Sequence, residues 1–371
     1  MKIGVPKEIK NHEYRVGIVP SAARELTMQG HDVYIEHNAG LGSGFSNDDY
    51  IAAGAAILDS ADEVFATADM IVKVKEPLAV ERAKLRHDQI LFTYLHLAPD
   101  LAQTEDLLKS GAVCIAYETV TDDKGGLPLL APMSEVAGRM SVQAGAMALE
   151  KSHGGCGMLL GGVPGVEPAK VVIIGGGMVG TNAAQIAVGM GAEVVVLDRS
   201  VEALRRINAQ FGAAVTTVYS TADAIERYVT AADLVIGGVL IPGAQAPKLV
   251  TKAMVKKMKP GSAIVDVAID QGGCVETSHA TTHQAPTYIV DDVVHYCVAN
   301  MPGAVARTST FALNNVTLPY IMKLARMGYK EALLDDKHLL AGLNVMHGNL
   351  TCKEVAESHN LAYTPALSLL Q

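Results

Sequence analysis

Tryptophan is absent from the 371 residues and phenylalanine occurs five times, so any core this chain builds must be aliphatic rather than aromatic. Cysteine is scarce too. Cys114, Cys156, Cys274, Cys297 and Cys352 are odd in number and form no CxxC pair, which argues against a disulfide framework or a zinc site and reads as free thiols in a reducing compartment. No Lys/Arg block occurs and the formal net charge is −9, so neither nucleic acid nor an anionic membrane is an expected partner. No apolar run reaches eighteen residues, and the opening MKIGVPKEIKNHEYR is charged rather than signal-like. A soluble cytoplasmic protein is expected.

Aliphatic residues and glycine are what the chain does have. Glycine numbers 35, which suits many tight turns between strands and helices, and the length suggests two domains. One stretch organises the rest: KVVIIGGGMVGTNAAQIAVGMGAEVVVLD, residues 170–198. It reads as strand, glycine turn, helix and strand. In that frame Gly175 permits the turn, Gly177 lets the backbone approach a pyrophosphate, and Gly180 lets the helix pack close to the strand. Met178 and Val179 open the helix, whose free N–H groups favour phosphate. Asp198, at the tip of the second strand, can accept hydrogen bonds from a ribose diol, which favours NAD over NADP because a 2′-phosphate would face a carboxylate.

Strand–helix alternation fills both flanks of this stretch. Strands are expected at residues 2–5, 31–36, 70–74, 90–95 and 112–117, with helices at 21–30 (capped by Ser21), 47–54 and 60–66. Arg15 falls in a polar loop, where an arginine is either solvated or grips a carboxylate. Lys75 follows the strand at 70–74, and His96 follows the strand at 90–95. Open α/β sheets collect their ligands at such strand ends, and histidine is suited to proton transfer near neutral pH. A helix from about 132 to 151, with Ser134 as its N-cap, carries the chain into the glycine-turn domain. There strands are expected at 214–219, 234–240, 263–269 and 288–290. Asp270 closes the strand at 263–269, either as a loop cap or as a functional acid. A helix at 309–327, interrupted by Pro319, then returns the chain to the first domain, and two short helices complete the tail. The fold class is α/β: two Rossmann-like doubly wound domains, a dinucleotide domain at 131–304 inserted into a discontinuous substrate domain at 1–130 and 305–371. The two linking helices would form a hinge.

Seven segments together carry a resemblance to a family. GVPKEIKNHEYRVGIVP near the start, KVKEP at 73–77, TYLHLA at 93–98, PMSEVAGRMSVQAGA at 132–146, GGGMVGTNAA at 175–184, VDVAIDQGG at 265–273 and VANMPGAVARTST at 298–310 resemble the L-alanine dehydrogenases of the alanine dehydrogenase/transhydrogenase α-subunit family, end to end. The resemblance implies NAD-dependent, reversible oxidative deamination of L-alanine to pyruvate and ammonia, without a metal. It implies Arg15 and Lys75 as the substrate-holding pair and His96 and Asp270 as acid/base residues, with the division of proton transfer between the last two left open. It also puts Ser134, Gly175, Gly177, Met178, Val179, Gly180, Asp198, Ser220, Val239, Leu240, Val267, Asn300 and Met301 on cofactor-contact positions. The sequence departs at Ala203, where some members carry a basic residue, and this bears only on a peripheral adenosine contact. Members commonly form homohexamers. Two rival readings are a transhydrogenase nucleotide-binding subunit, which does not need the amino-acid site, and a non-catalytic NAD-sensing module. Neither calls for Arg15, Lys75 and His96 together.

Overall fold

The computed structural model describes residues 1–239 and 246–371. Leu240, read above as a cofactor contact, lies outside the described residues. The chain divides into two compact units, one of Met1–Met133 with Gly303–Gln371 and one of Ser134–Pro302.

In the first unit six parallel strands, β1 (Lys2–Val5), β2 (Asp32–Glu36), β3 (Ala56–Leu58), β4 (Met70–Val72), β5 (Ile90–Thr93) and β6 (Val113–Ala116), pair in the order β3-β2-β1-β4-β5-β6. The chain therefore winds outward from β1 in one direction, returns, and winds outward from β4 in the other. The gap between β1 and β4 is a topological switch point, where adjacent loops diverge and leave a crevice. Strands β4, β5 and β6 are buried at every residue, as continuous apolar runs covered on both faces must be.

The second unit repeats that order with β7 (Lys170–Ile174), β8 (Glu193–Asp198), β9 (Val215–Tyr219), β10 (Leu234–Gly237), β11 (Ala263–Asp266), β12 (Thr287–Val290) and β13 (Val293–Tyr296), arranged β12-β13-β11-β10-β7-β8-β9. All these pairings are parallel except the β12–β13 hairpin. Its switch point lies between β7 and β10. Successive side chains leave a strand on opposite faces, and two aliphatic layers result: Val171, Ile173, Val194, Val196, Leu234 and Ile236 on one side, and Val172, Ile174, Val195, Leu197, Val235 and Ile264 on the other.

Several local expectations are corrected. The first helix is Pro20–Met28, with Pro20 in its first turn and Val19 at the N-cap, so Ser21 caps nothing. Proline supplies the helical φ and lacks an N–H that would be unpaired there. Ser134 lies inside the helix Ala131–Ala148 rather than at its N-cap. Pro319 does not interrupt the helix Ala306–Met327. The last parallel strand of the second unit is β13, which the sequence reading missed. The tail adds strands as well as helices: β14 (Leu343–Met346) runs antiparallel to β6, and β15 (Asn349–Leu350) pairs with β14.

Candidate functional site

At the switch point of the first unit, the loop after β1 carries Glu8, Glu13 and Arg15, the loop after β4 carries Lys75, and the loop after β5 carries His96. Since β1, β4 and β5 are neighbours, three candidate residues far apart in sequence leave the same edge of one sheet. Acidic side chains that the sequence reading passed over fix each of them.

Arg15 is buried. Its Nε donates to Glu13 Oε1 at 2.7 Å and its Nη2 to Glu13 Oε2 at 2.6 Å, a bidentate fork that also receives the Arg15 backbone N–H at 3.1 Å. Burial pulls the guanidinium pKa down, but the hydrogen bond and charge of Glu13 more than offset it, and the net shift is upward. Arg15 is thus a permanent cation held in one orientation. The backbone of Lys75 is held by Glu8, whose Oε1 accepts the N–H of Val74 at 2.7 Å and of Lys75 at 3.3 Å. Glu8 in turn pairs with the fully buried Lys73 at 3.1 Å, and Lys73 donates to Glu81 at 2.6 Å. Thr93 joins the next strand end by donating its hydroxyl to the Lys75 carbonyl at 3.0 Å.

His96 sits at φ 49°, a conformation a non-glycine residue adopts only where its surroundings hold it. Glu118 holds it: the carboxylate accepts the His96 N–H at 2.6 Å and the Leu95 N–H at 3.2 Å, with His96 Nδ1 3.9 Å away. The imidazole stacks on Tyr94 with ring centroids 5.7 Å apart, and the side chain remains 43% exposed. The result is a solvent-reachable imidazole on a rigid support.

The second unit carries the glycine turn. Gly175 has φ +103°, and a Cβ there would lie 2.8 Å from the Gly238 carbonyl oxygen. A Cβ on Gly180 would come within 1.8 Å of the Gly175 oxygen, so strand and helix meet at a separation only glycine permits. At Gly177, the N-cap of the helix Met178–Gly189, a Cβ would meet nothing within 4 Å; the space above that backbone is open, as a pyrophosphate seat requires. Asp198 has a structural task as well: Oδ2 accepts the Gly176 N–H at 2.5 Å and Oδ1 the Ser200 N–H at 2.6 Å. A carboxylate has about four acceptor positions, so it retains capacity for a ribose diol. Ser220 follows β9, its N–H on the Asp198 carbonyl at 3.0 Å. Val239 follows β10 at the switch point, beside Gly238, whose N–H reaches the Ile174 carbonyl at 2.8 Å.

Asp270 does not end a strand. β11 stops at Asp266, and Asp270 lies exposed on the following 3-10 turn, Val267–Gln271, which also carries Val267. Asp266 is the acid at the strand end; fully buried, it accepts the N–H groups of Cys274 at 3.3 Å and Val275 at 3.1 Å and so closes the turn that presents Asp270. Asn300, at φ 63°, takes a hydrogen bond on its carbonyl from His283 at 3.1 Å, and buried Met301 follows it. Ser134 is half-buried. Apart from Ser134, which lies on the helix Ala131–Ala148, these residues occupy the strand ends and the segments beyond them.

Gly180→Ala is expected to weaken NADH binding at least tenfold, because the added methyl must displace either the turn or the helix at a cost of about 1–3 kcal/mol. Fluorescence titration with NADH checks this; an unchanged affinity would show that the turn yields without loss.

Two doubly wound units of the same strand order, one with a glycine turn that accommodates a dinucleotide, define a dinucleotide-binding α/β protein. Family models for the N-terminal and C-terminal domains of alanine dehydrogenase/PNT match residues 4–137 and 141–353, and the chain belongs to this family. It is 60% identical over 370 residues to the alanine dehydrogenase of Halomonas elongata, and 52% identical over 370 residues to that of Mycobacterium tuberculosis; in both pairs each chain is covered in full. A solved L-alanine dehydrogenase structure superposes with a TM-score of 0.94 at 54% identity, over 97% of this chain and 99% of that one. The transhydrogenase structure from Sinorhizobium meliloti gives a TM-score of 0.83 over 95% of this chain and all of that one, at 24% identity, a likeness of fold.

Proposed function

We propose that this protein is an NAD-dependent enzyme that catalyses the reversible oxidative deamination of L-alanine: L-alanine, NAD and water give pyruvate, ammonium, NADH and a proton. The observation that carries this reading is the gathering of Arg15, Lys75 and His96 on three neighbouring strand ends of one sheet, in a chain alike over its whole length to alanine dehydrogenases. The first unit serves as the substrate domain and the second as the NAD domain.

Arg15 and Lys75 orient the substrate carboxylate, Arg15 as a guanidinium that Glu13 holds in one position. The glycine turn and Asp198 would hold NAD, which would supply the hydride acceptor for the alanine Cα–H. Water then adds to the resulting iminium carbon, and the carbinolamine loses ammonia. His96 takes the proton from the attacking water and returns one to the leaving amine; Asp270 orients water and shares that proton traffic. Ser134, Val239, Val267, Ser220, Asn300 and Met301 line the cofactor, and no residue in this scheme serves a metal. The full-length resemblance to the family supports a homohexamer in the cytoplasm. No helix among the described residues is long and apolar enough to cross a membrane.

NADH formation followed at 340 nm with L-alanine, glycine, serine, lysine and no substrate tests the reading. Alanine-dependent reduction is expected, and its absence would overturn the assignment. Asp198→Asn, which removes the charge but keeps an acceptor oxygen, is expected to raise the NADP-to-NAD ratio of kcat/KM about tenfold, or roughly 1.4 kcal/mol. An unchanged ratio would remove Asp198 from cofactor choice.

A further inference from the structure

At the opposite edge of the first sheet from His96, three side chains converge that the proposed reaction does not use. Asp88 lies just before β5, and His87 precedes it. His347 starts the two-residue turn between β14 and β15. The ligand atoms of His87, Asp88 and His347 all lie within 4.8 Å of one another. His347 Nε2 is 2.6 Å from Asp88 Oδ1, and His87 Nδ1 is 3.4 Å from Asp88 Oδ2, so each imidazole turns a nitrogen toward a different oxygen of one carboxylate. The two rings stack with centroids 4.7 Å apart. The Tyr329 hydroxyl donates to Asp88 Oδ1 at 2.9 Å, as a supporting donor fixes a metal-binding carboxylate.

The backbone favours this convergence at some cost. Asp88 has φ 64°, His347 φ 48° and Gly348 φ 79°. A two-residue hairpin turn with both φ values positive is met most readily by Asn-Gly or Asp-Gly; a histidine at its first position adds nothing to the turn but projects an imidazole at Asp88.

We propose that His87, Asp88 and His347 form a binding site for a divalent transition-metal ion of the zinc, nickel and copper class, clipping the β14–β15 hairpin to the loop before β5. Two neutral imidazoles and one carboxylate are the borderline donor set these ions select, whereas magnesium and calcium demand oxygen ligands. Metal–ligand bonds of about 2.0–2.1 Å put tetrahedral donors roughly 3.4 Å apart, a spacing the exposed His87 and Asp88 side chains reach by small rotations, with water in the remaining position. The ion takes the place of the hydrogen bond between His347 and Asp88. The site and His96 lie beyond opposite ends of β5, itself about 13 Å long, and the effect of the ion is on stability rather than turnover.

The test is calorimetric titration of the chelator-treated full chain with zinc chloride, alongside thermal melts and Cu2+ electron paramagnetic resonance. The wild type is expected to bind zinc saturably, to melt at a higher temperature with zinc, and to show imidazole nitrogen couplings to copper. The double variant H87A/H347A is expected to lose one equivalent of binding, the melting shift and those couplings while keeping alanine-dependent NADH formation, which shows that it is folded. Asp88→Asn should lose the same equivalent, and Tyr329→Phe should weaken it about tenfold. Equal zinc stoichiometry and affinity in wild type and double variant, or no saturable binding in the wild type, would overturn the proposal.

Discussion

Replacing His96 by alanine is expected to lower kcat about a hundredfold or more and to leave NADH affinity nearly unchanged. General acid–base groups contribute typically 10²–10⁴-fold, and the proposed reaction asks one group to take a proton from water and return one to nitrogen. His96 suits that task physically, being solvent-reachable, stacked on Tyr94 and held at φ 49° by Glu118. The glycine turn and Asp198 belong to the other unit, and so the binding of NADH should survive. Steady-state kinetics with L-alanine and a fluorescence titration separate the two quantities. Turnover like that of the wild type would remove His96 from the mechanism.

The largest effect on stability is expected at Lys73. Lys73→Met keeps the length of the side chain but strands Glu8 and Glu81, both buried, without their shared cation. Breaking a buried pair from one side costs about 3–5 kcal/mol, which for a unit of this size corresponds to a fall in melting temperature of roughly ten degrees. The pH dependence has a definite sign. Burial raises the pKa of Glu8, and the charge of Lys73 is the largest influence holding it back; without Lys73 it rises further. A carboxyl group whose pKa is raised in the folded state favours the fold below its unfolded pKa and loses that contribution as pH rises through the folded one. The penalty of the substitution should therefore be larger in mildly alkaline than in mildly acidic buffer. Thermal melts at several pH values check both magnitude and sign, and a penalty independent of pH would mean that Glu8 and Glu81 are not the stranded charges.

The parts of the fold that repeat were readable in advance. Short apolar runs announced β1, β4, β5 and β7, because strands in the interior of such sheets are covered on both faces and have little room for polar side chains. The turn from Gly175 to Gly180 was readable for a sharper reason: each glycine meets a separate steric demand, and the 1.8 Å approach at Gly180 is one of them. Glu8, Glu13, Glu118 and Asp266 were not readable. An acid in a loop looks the same in sequence whether it faces water or holds a backbone, and Glu8 meets Lys73, 65 positions further on, only after the chain folds back. β14 and β15 escaped notice because strands of four and two residues around a His-Gly turn leave too short a pattern to show a period. Pro319 misled for a related reason. Proline disrupts an isolated helix, but in the helix Ala306–Met327 the contacts of Ser309, Leu313, Asn314, Thr317, Ile321 and Leu324, all buried, hold the segment together.

The antiparallel addition of β14 to β6 has a bearing on biosynthesis. Strand β6 ends at Ala116, and its hydrogen-bonding partner begins at Leu343, roughly 230 residues later on the ribosome. At about 5–20 residues per second, the nascent chain exposes the rim of β6 for on the order of ten to forty-five seconds, while the whole second unit emerges and can fold. An unpaired apolar rim of that kind is a template for wrong pairing, and the hairpin that finally covers it is the one whose turn His347 begins.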